Sequence, residues 1–369
     1  MTDSVRFVDL PKQYQDLREE IQQCLYRVFS SGSFILRQDV KDFEVQMADL
    51  LGVEAVVGVN SGTDALFLSM RALGIGPGDE VITVAHTFVA TVSTIVHCGA
   101  TPIFVDIGDD FNMDANQLEA AVTPRTKAIV PVHLNGRTCD MDTVMQVAKQ
   151  HNLVVIEDAA QALCASFGGR QAGSFGQAGC FSLHPLKLLS VAGDGGFVST
   201  QDEGLAETLR MLRDHGQKTK EELVCFGYNS RLDNIHAALA VVKMKHLPQW
   251  IDRRRAIADH YHEGLHDIPA LWLPPPPDGE SQYRDVFNSF VVRTERRDEL
   301  KQYLGEADVE VYAHCATPLY HHERLNLGDW DLPKTEQISQ EVLSLPMYPE
   351  LTEAEQKYVI AQVRAFFAE

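Results

Sequence analysis

Short apolar runs alternate along the first two hundred positions with longer stretches in which apolar side chains return every third or fourth residue. The runs Ala55 to Val59, Glu80 to Val84, Thr101 to Val105, Ala128 to Val132, Leu153 to Ile156, Cys180 to Leu183 and Gly196 to Thr200 have the length and β-branched content of strands. Between them, helical spacing runs from Ala65 to Leu73, after Thr91, around Leu118 to Val122, from Met141 to Gln150 and from Leu205 to Arg213. Uninterrupted apolar strands, as opposed to alternating ones, are what a sheet covered on both faces needs. The rhythm predicts an α/β fold with a mostly parallel sheet and helices on both sides.

The flanks read differently. An extended Val5 to Leu10 precedes an amphipathic helix through Ile21, Leu25 and Val28, a link from Ser30 to Leu36, and a second helix carrying Val40, Phe43 and Met47. Such an arm packs on another subunit or caps its own core. Beyond Gly227, a long helix is expected from Asn234 into Lys245 and past Pro248 into Trp250 to Leu265, with Arg253, Arg254 and Arg255 as a solvated face. The run Pro274 to Pro277 belongs to neither helix nor sheet interior. A strand from Phe287 to Val292, a helix from Arg296 to Leu304, a strand from Val309 to Tyr312 and a helix from Ala354 to Phe367 complete a small α+β domain. The expected division is 1–245 and 246–369.

Composition narrows the partners. The 369 residues suffice for one large domain and a smaller one. Acidic residues outnumber basic ones, 52 to 32, for a formal charge of −20, which argues against nucleic acid or an anionic membrane as partner. A small anionic ligand held by local basic groups is compatible with it. The seven cysteines form no C-x-x-C pair, as expected of reduced thiols. No apolar run approaches the roughly 20 residues that span a bilayer, and the first thirty residues hold no signal-peptide core. A cytoplasmic location is expected.

Candidate chemistry concentrates at strand ends. Asp158 closes the run from Leu153, at the edge where open α/β sheets hold ligands. Lys187 follows the Cys180 run and precedes Gly193-Asp194-Gly195-Gly196. A carboxylate and a lysine from neighbouring strand ends are what pyridoxal phosphate requires, the lysine for a Schiff base and the carboxylate for the pyridine nitrogen. An Asp at a strand end is also a common helix cap, and a Lys near glycines is commonly solvated. Ser61-Gly62-Thr63, between a strand and a helix, reads as a phosphate cup or as a plain N-cap. Phe88 stacks on a planar ring or, the simpler reading, fills the core. Arg37 reads as a surface arginine or an anion contact. His321, His322 and Glu323 are adjacent in one segment and so do not converge as metal ligands.

SGTDAL, PGDEVI, HTFVAT, FVDI, EDAAQA, FSLHPLK, GDGG, GYNSR and VLSLPMYPELT occur in this order over essentially the whole chain. By these motifs the sequence resembles sugar aminotransferases of the DegT/StrS type, in the fold-type I pyridoxal-phosphate superfamily. The resemblance implies a large domain on a seven-stranded, mostly parallel sheet, a small C-terminal domain, and a homodimer with shared active sites. It implies pyridoxal 5'-phosphate as cofactor with pyridoxamine phosphate as intermediate, L-glutamate as donor, and a keto sugar, nucleotide-linked, as acceptor. Lys187 matches the Schiff-base lysine and Asp158 the pyridine partner. Gln161 matches a residue beside the ring hydroxyl, and Ser61, Gly62, Thr63 and Ser182 match phosphate ligands. Phe88 falls where an aromatic covers the ring, and Asn229 matches an asparagine that reaches the neighbouring subunit's phosphate. The chain departs from the family at Arg37, Leu188, Asp308 and Tyr320. A sugar dehydratase that uses pyridoxamine phosphate and lacks the lysine is a rival that Lys187 opposes. A non-catalytic sugar-nucleotide sensor is another.

Overall fold

The apolar runs assemble into one seven-stranded sheet in a computed structural model that describes residues 4–368. Its strands are β1 (Ala55–Val59), β2 (Glu80–Val84), β3 (Thr101–Val105), β4 (Thr126–Ile129), β5 (Val154–Asp158), β6 (Ala178–Ser182) and β7 (Gly196–Thr200). They lie in the order β1-β7-β6-β5-β4-β2-β3. All neighbours are parallel except β7, which runs antiparallel to both β1 and β6. The chain from β6 to β7 contains no crossover helix, so the strand returns in the opposite sense.

Both faces of the sheet are covered, as the uninterrupted runs require. In β1, Ala55, Val57 and Val59 pack with Leu66, Leu68, Leu205 and Leu209 of helices Gly62–Ala72 and Glu203–Leu212. Val56 points the other way, to Phe43, Met47 and Ala237 of helices Gln38–Leu51 and Asn234–Met244. Pro131 has no N–H to give the ladder. The strand expected through Val132 therefore ends at Ile129, and Val132 keeps only a single bridge to Asp158.

The second half departs further from expectation. Asn234–Met244 and Leu247–Leu265 are two helices, with Pro248 in the first turn of the second, where its missing N–H goes unneeded. The second helix is rooted in two cores. Leu247 and Ile251 join the cluster under the large sheet, while Ile257, Ala258, Tyr261 and Leu265 join a second cluster with Phe290 and Leu345. Val5 packs in that second cluster too, through a bridge to Val309. Arg254 is no part of a solvated face. It is buried and donates to the carbonyls of Phe287, Asn288 and Met347 at 3.2, 3.2 and 2.9 Å. The small sheet pairs β8 (Phe290–Arg293) with β9 (Val342–Leu345). The strand expected from Phe287 starts late because Phe287 has φ +49°. That expected from Val309 to Tyr312 gives only isolated bridges to Val5 and Ser344. Asp308 has φ +55°, a left-handed conformation that aspartate tolerates better than most residues. A helix at Pro333–Glu341, capped by Asp106 from across the chain, is an element the spacing did not show. Among the described residues no helix is long and apolar enough to cross a membrane, and no acidic, histidine and cysteine group could hold a metal.

Candidate active site

Strand register alone gathers part of the site. Val59 lies opposite Gly196, and Gly196 lies opposite Ser182. The turn after β1, the start of β7 and the end of β6 thus meet at one edge. A Cβ on Gly62 would fall 2.8 Å from that of Ser182, and one on Gly196 would fall 2.4 Å from the carbonyl carbon of Ser61. Only glycine allows so close an approach. Ser61 caps helix Gly62–Ala72, its Oγ accepting from the Asp64 N–H at 3.0 Å. The cap and cup readings coexist, since the first N–H groups of any helix lack intrahelical acceptors. Thr63 is exposed, and Ser182 Oγ accepts from the His184 N–H at 3.2 Å. This glycine-lined helix start fits a phosphate.

Asp158 lies at the C-terminal end of β5, 6 % exposed. Its Oδ2 accepts from Thr91 Oγ1 at 2.7 Å and its Oδ1 from the Ala160 N–H at 3.2 Å. Burial pushes its pKa up, while the Thr91 hydroxyl, the Ala160 N–H and the charge of Lys187 act against that. Lys187, partly buried, responds in the mirror sense. Burial pulls its pKa down and the charge of Asp158 pulls it up. An acid and an amine that sense one another in a sheltered place are the donor set a pyridine ring with an aldehyde calls for.

The remaining expected residues spread over the rim. Gln161 Oε1 accepts from the Asn135 N–H at 2.8 Å. Phe88 is 66 % exposed, so it is not the core residue its composition suggested; it heads helix Val89–His97 instead. Asn229 is exposed and bridges Asp214. Among the described residues, no hydrogen bond joins it to Ser61, Gly62 or Thr63, but its neighbour Ser230 donates to Asp64 Oδ2 at 2.6 Å. Arg37 is exposed, and Leu188 is buried in the core. Tyr320 is buried and donates to Glu336 Oε1 at 2.5 Å, an acceptor His321 shares.

Several neighbours of the site escaped the spacing argument. Thr91 and Thr87, whose hydroxyls lie 2.9 Å apart, sit within the HTFVAT segment at an i, i+4 interval that could have flagged them. Beneath Asp158, Glu157 is fully buried and accepts from the N–H groups of Gly173, Phe175 and Gly176, each at 2.7 Å, and from His133 Nε2 at 2.9 Å. Beside Lys187 a narrow cavity is lined by Gln13, Ser190, Arg254, Tyr348 and Glu350. Lys243 donates to Gln13 Oε1 and Ser190 Oγ at 2.8 and 3.0 Å, and burial lowers its pKa to about 8. Cys315, its thiol pushed up to about 11 by burial, senses the charge of Lys187. No motif in the sequence points to Cys315.

Residues 15–364 match the model of the DegT/DnrJ/EryC1/StrS aminotransferase family. A pleiotropic regulatory protein of Geobacillus stearothermophilus is 41 % identical over 99 % of each chain. The dTDP-3-amino-3,4,6-trideoxy-alpha-D-glucose transaminase of Streptomyces venezuelae is 41 % identical over 98 % of this chain and 96 % of its own. The crystal structure of S. venezuelae DesV in complex with a ketimine intermediate superposes over 100 % of both chains, with TM-score 0.96 and 40 % identity.

Proposed function

Because the chain belongs to the DegT/DnrJ/EryC1/StrS aminotransferase family, we propose that it moves an amino group from L-glutamate to a nucleotide-linked keto sugar, with pyridoxal phosphate as coenzyme. The observation that carries this reading is the pairing of a partly buried Lys187 with a buried Asp158 beside a glycine-lined helix start. When bound, the coenzyme supplies an aldehyde that captures amines and a ring that accepts the electrons left when a proton departs. The rest falls to side chains of the protein. Lys187, its ammonium disfavoured by burial, anchors the coenzyme and then takes and returns the proton. Asp158 keeps the ring nitrogen protonated, and in a sheltered site that ion pair is worth more than in water.

In the same proposal Ser61, Gly62, Thr63 and Ser182 hold the phosphate, Phe88 covers the ring and Gln161 lies by its hydroxyl. Asn229 serves the site of a second copy, which makes a homodimer the active unit. The exposed Leu223, Val224 and Phe226 of the segment leading to Asn229 support such a contact. The division at 245 and 246, a cytoplasmic location with free cysteines, and a product destined for a surface polysaccharide or a glycosylated natural product complete it. Two half-reactions on one site predict ping-pong kinetics.

The test is the visible spectrum of the purified protein. The band of lysine-bound coenzyme is expected to bleach with glutamate and return with one member of a panel of keto-sugar nucleotides, its aminated product read by mass spectrometry. Lys187→Ala is expected to lower transfer by about 10²–10⁴-fold. A chain that takes up no coenzyme, or a Lys187→Ala variant that transfers undiminished, ends this reading. A second reading, a non-catalytic regulator, is favoured by the name of the G. stearothermophilus relative. Bleaching with no 2-oxoglutarate released would select it.

A further inference from the structure

Two threonines and an aspartate form a directed chain at the floor of the site. The Thr91 hydroxyl has one proton and gives it to Asp158 Oδ2 at 2.7 Å. The 2.9 Å contact between Thr87 and Thr91 must then run with Thr87 as donor. All three side chains are buried, at 4 %, 0 % and 6 % exposure. Thr87 directly precedes Phe88, so the chain links the ring-covering segment to the acid beneath it.

We propose that Thr91, with Thr87 behind it, is a positioning residue for the coenzyme, holding one oxygen of Asp158 so that the acid meets the ring nitrogen as an anion. This rests on reading the site as a pyridoxal-phosphate site. The physical need is plain. A buried carboxylate tends to take up a proton, and a protonated acid cannot pair with a ring cation. Lys187 from the loop after β6 and His133 from the run after β4 face Asp158 and favour its anion. Cys180, its partner across the ladder, is a thiol whose own pKa burial pushes up. Glu157 is turned to its own four donors. From helix Val89–His97, Thr91 supplies the one side-chain hydrogen bond to the Asp158 carboxylate among the described residues, on Oδ2, while the Ala160 N–H serves Oδ1.

Binding of pyridoxamine phosphate, which forms no bond to Lys187, is to be measured by calorimetry from acid to neutral pH. Affinity falls as pH drops through the protonation of Asp158, because the neutral acid loses the ion pair. Thr91→Val removes a donor from the anion. The midpoint of that fall is expected to move up by about 1–2 pH units, the worth of a hydrogen bond to a charged group. Thr91→Ser restores it, and Thr87→Val moves it in the same direction by less. Titration of the ligand's phosphate is common to every variant and cancels in the comparison. A ligand analogue with CH in place of the ring nitrogen should show no difference between variants, which a merely structural role for Thr91 would not reproduce. A folded Thr91→Val protein with an unmoved midpoint overturns the proposal, as does an equal shift with the CH analogue. Should Thr91→Val fail to fold, an unmoved midpoint in Thr87→Val overturns it as well. If the unaltered protein binds neither coenzyme form at any pH, the functional reading itself has failed, a result distinct from these.

Discussion

Asp158 has a donor on each carboxylate oxygen, and Glu157 beneath it has four. At the rim, Phe88 is 66 % exposed, Thr63 and Asn229 face outward, and Phe226 is 101 % exposed. One chain therefore completes the floor of the site and leaves its rim open. The floor consists of strand ends and packed helices, whose hydrogen bonds must be made inside because water cannot reach them. The rim consists of helix starts and of the segment around Phe226 and Asn229, where water satisfies the backbone and the side chains stand in solvent. Chemistry that needs a sheltered charge is placed where the fold is rigid, and recognition where it is not.

Three substitutions sharpen that contrast. Asp158→Asn strikes the floor and is expected to lower transfer by about 10²–10³-fold, the order found when one electrostatic partner of a transition state is lost. Single-turnover kinetics would show the loss in the proton-transfer step while the protein stays folded, and a smaller loss than at Phe88→Ala would invert the contrast. Phe226→Asp strikes the rim. If that side chain sits in an interface, association weakens by at least about 2 kcal/mol, or thirtyfold in Kd, with the melting of the single chain unchanged. Sedimentation that detects no change in assembly would place the contact elsewhere. Gly196→Ala tests the seam between the two. Its methyl meets the Ser61 carbonyl carbon at 2.4 Å, so a loss of about 1–3 kcal/mol in stability is expected. Denaturant titration measures it, and weakened phosphate binding should accompany it.

The legible parts of the molecule were those set by short-range pattern. β2, β3 and β7 match their apolar runs residue for residue, because short, mostly buried runs rich in β-branched residues are the strongest local mark of a covered sheet. Asp158 and Lys187 stood out as charged residues at the ends of such runs. Thr91 did not, since its tie to Asp158 crosses 67 positions and depends on how helix Val89–His97 lies on the sheet. Arg254 was readable and was misread. It stands in the series Leu247, Ile251, Arg254, Ala258, Tyr261, Leu265, the buried stripe of its helix, where periodicity outweighed the expectation that arginine stays wet. Phe88 erred in the opposite sense, an aromatic whose type argued for burial and whose place at a helix start put it outside. Strand β9 and the helix at Pro333–Glu341 are fixed by distant partners, Phe290–Arg293 and Asp106, which no local window contains.

The helix Leu247–Leu265, seated at one end under the large sheet and at the other in the cluster around the small sheet, acts as a spar through both. A continuous ladder of helical hydrogen bonds bends little, so displacing one cluster against the other at this crossing would mean breaking that ladder or unseating one of its ends.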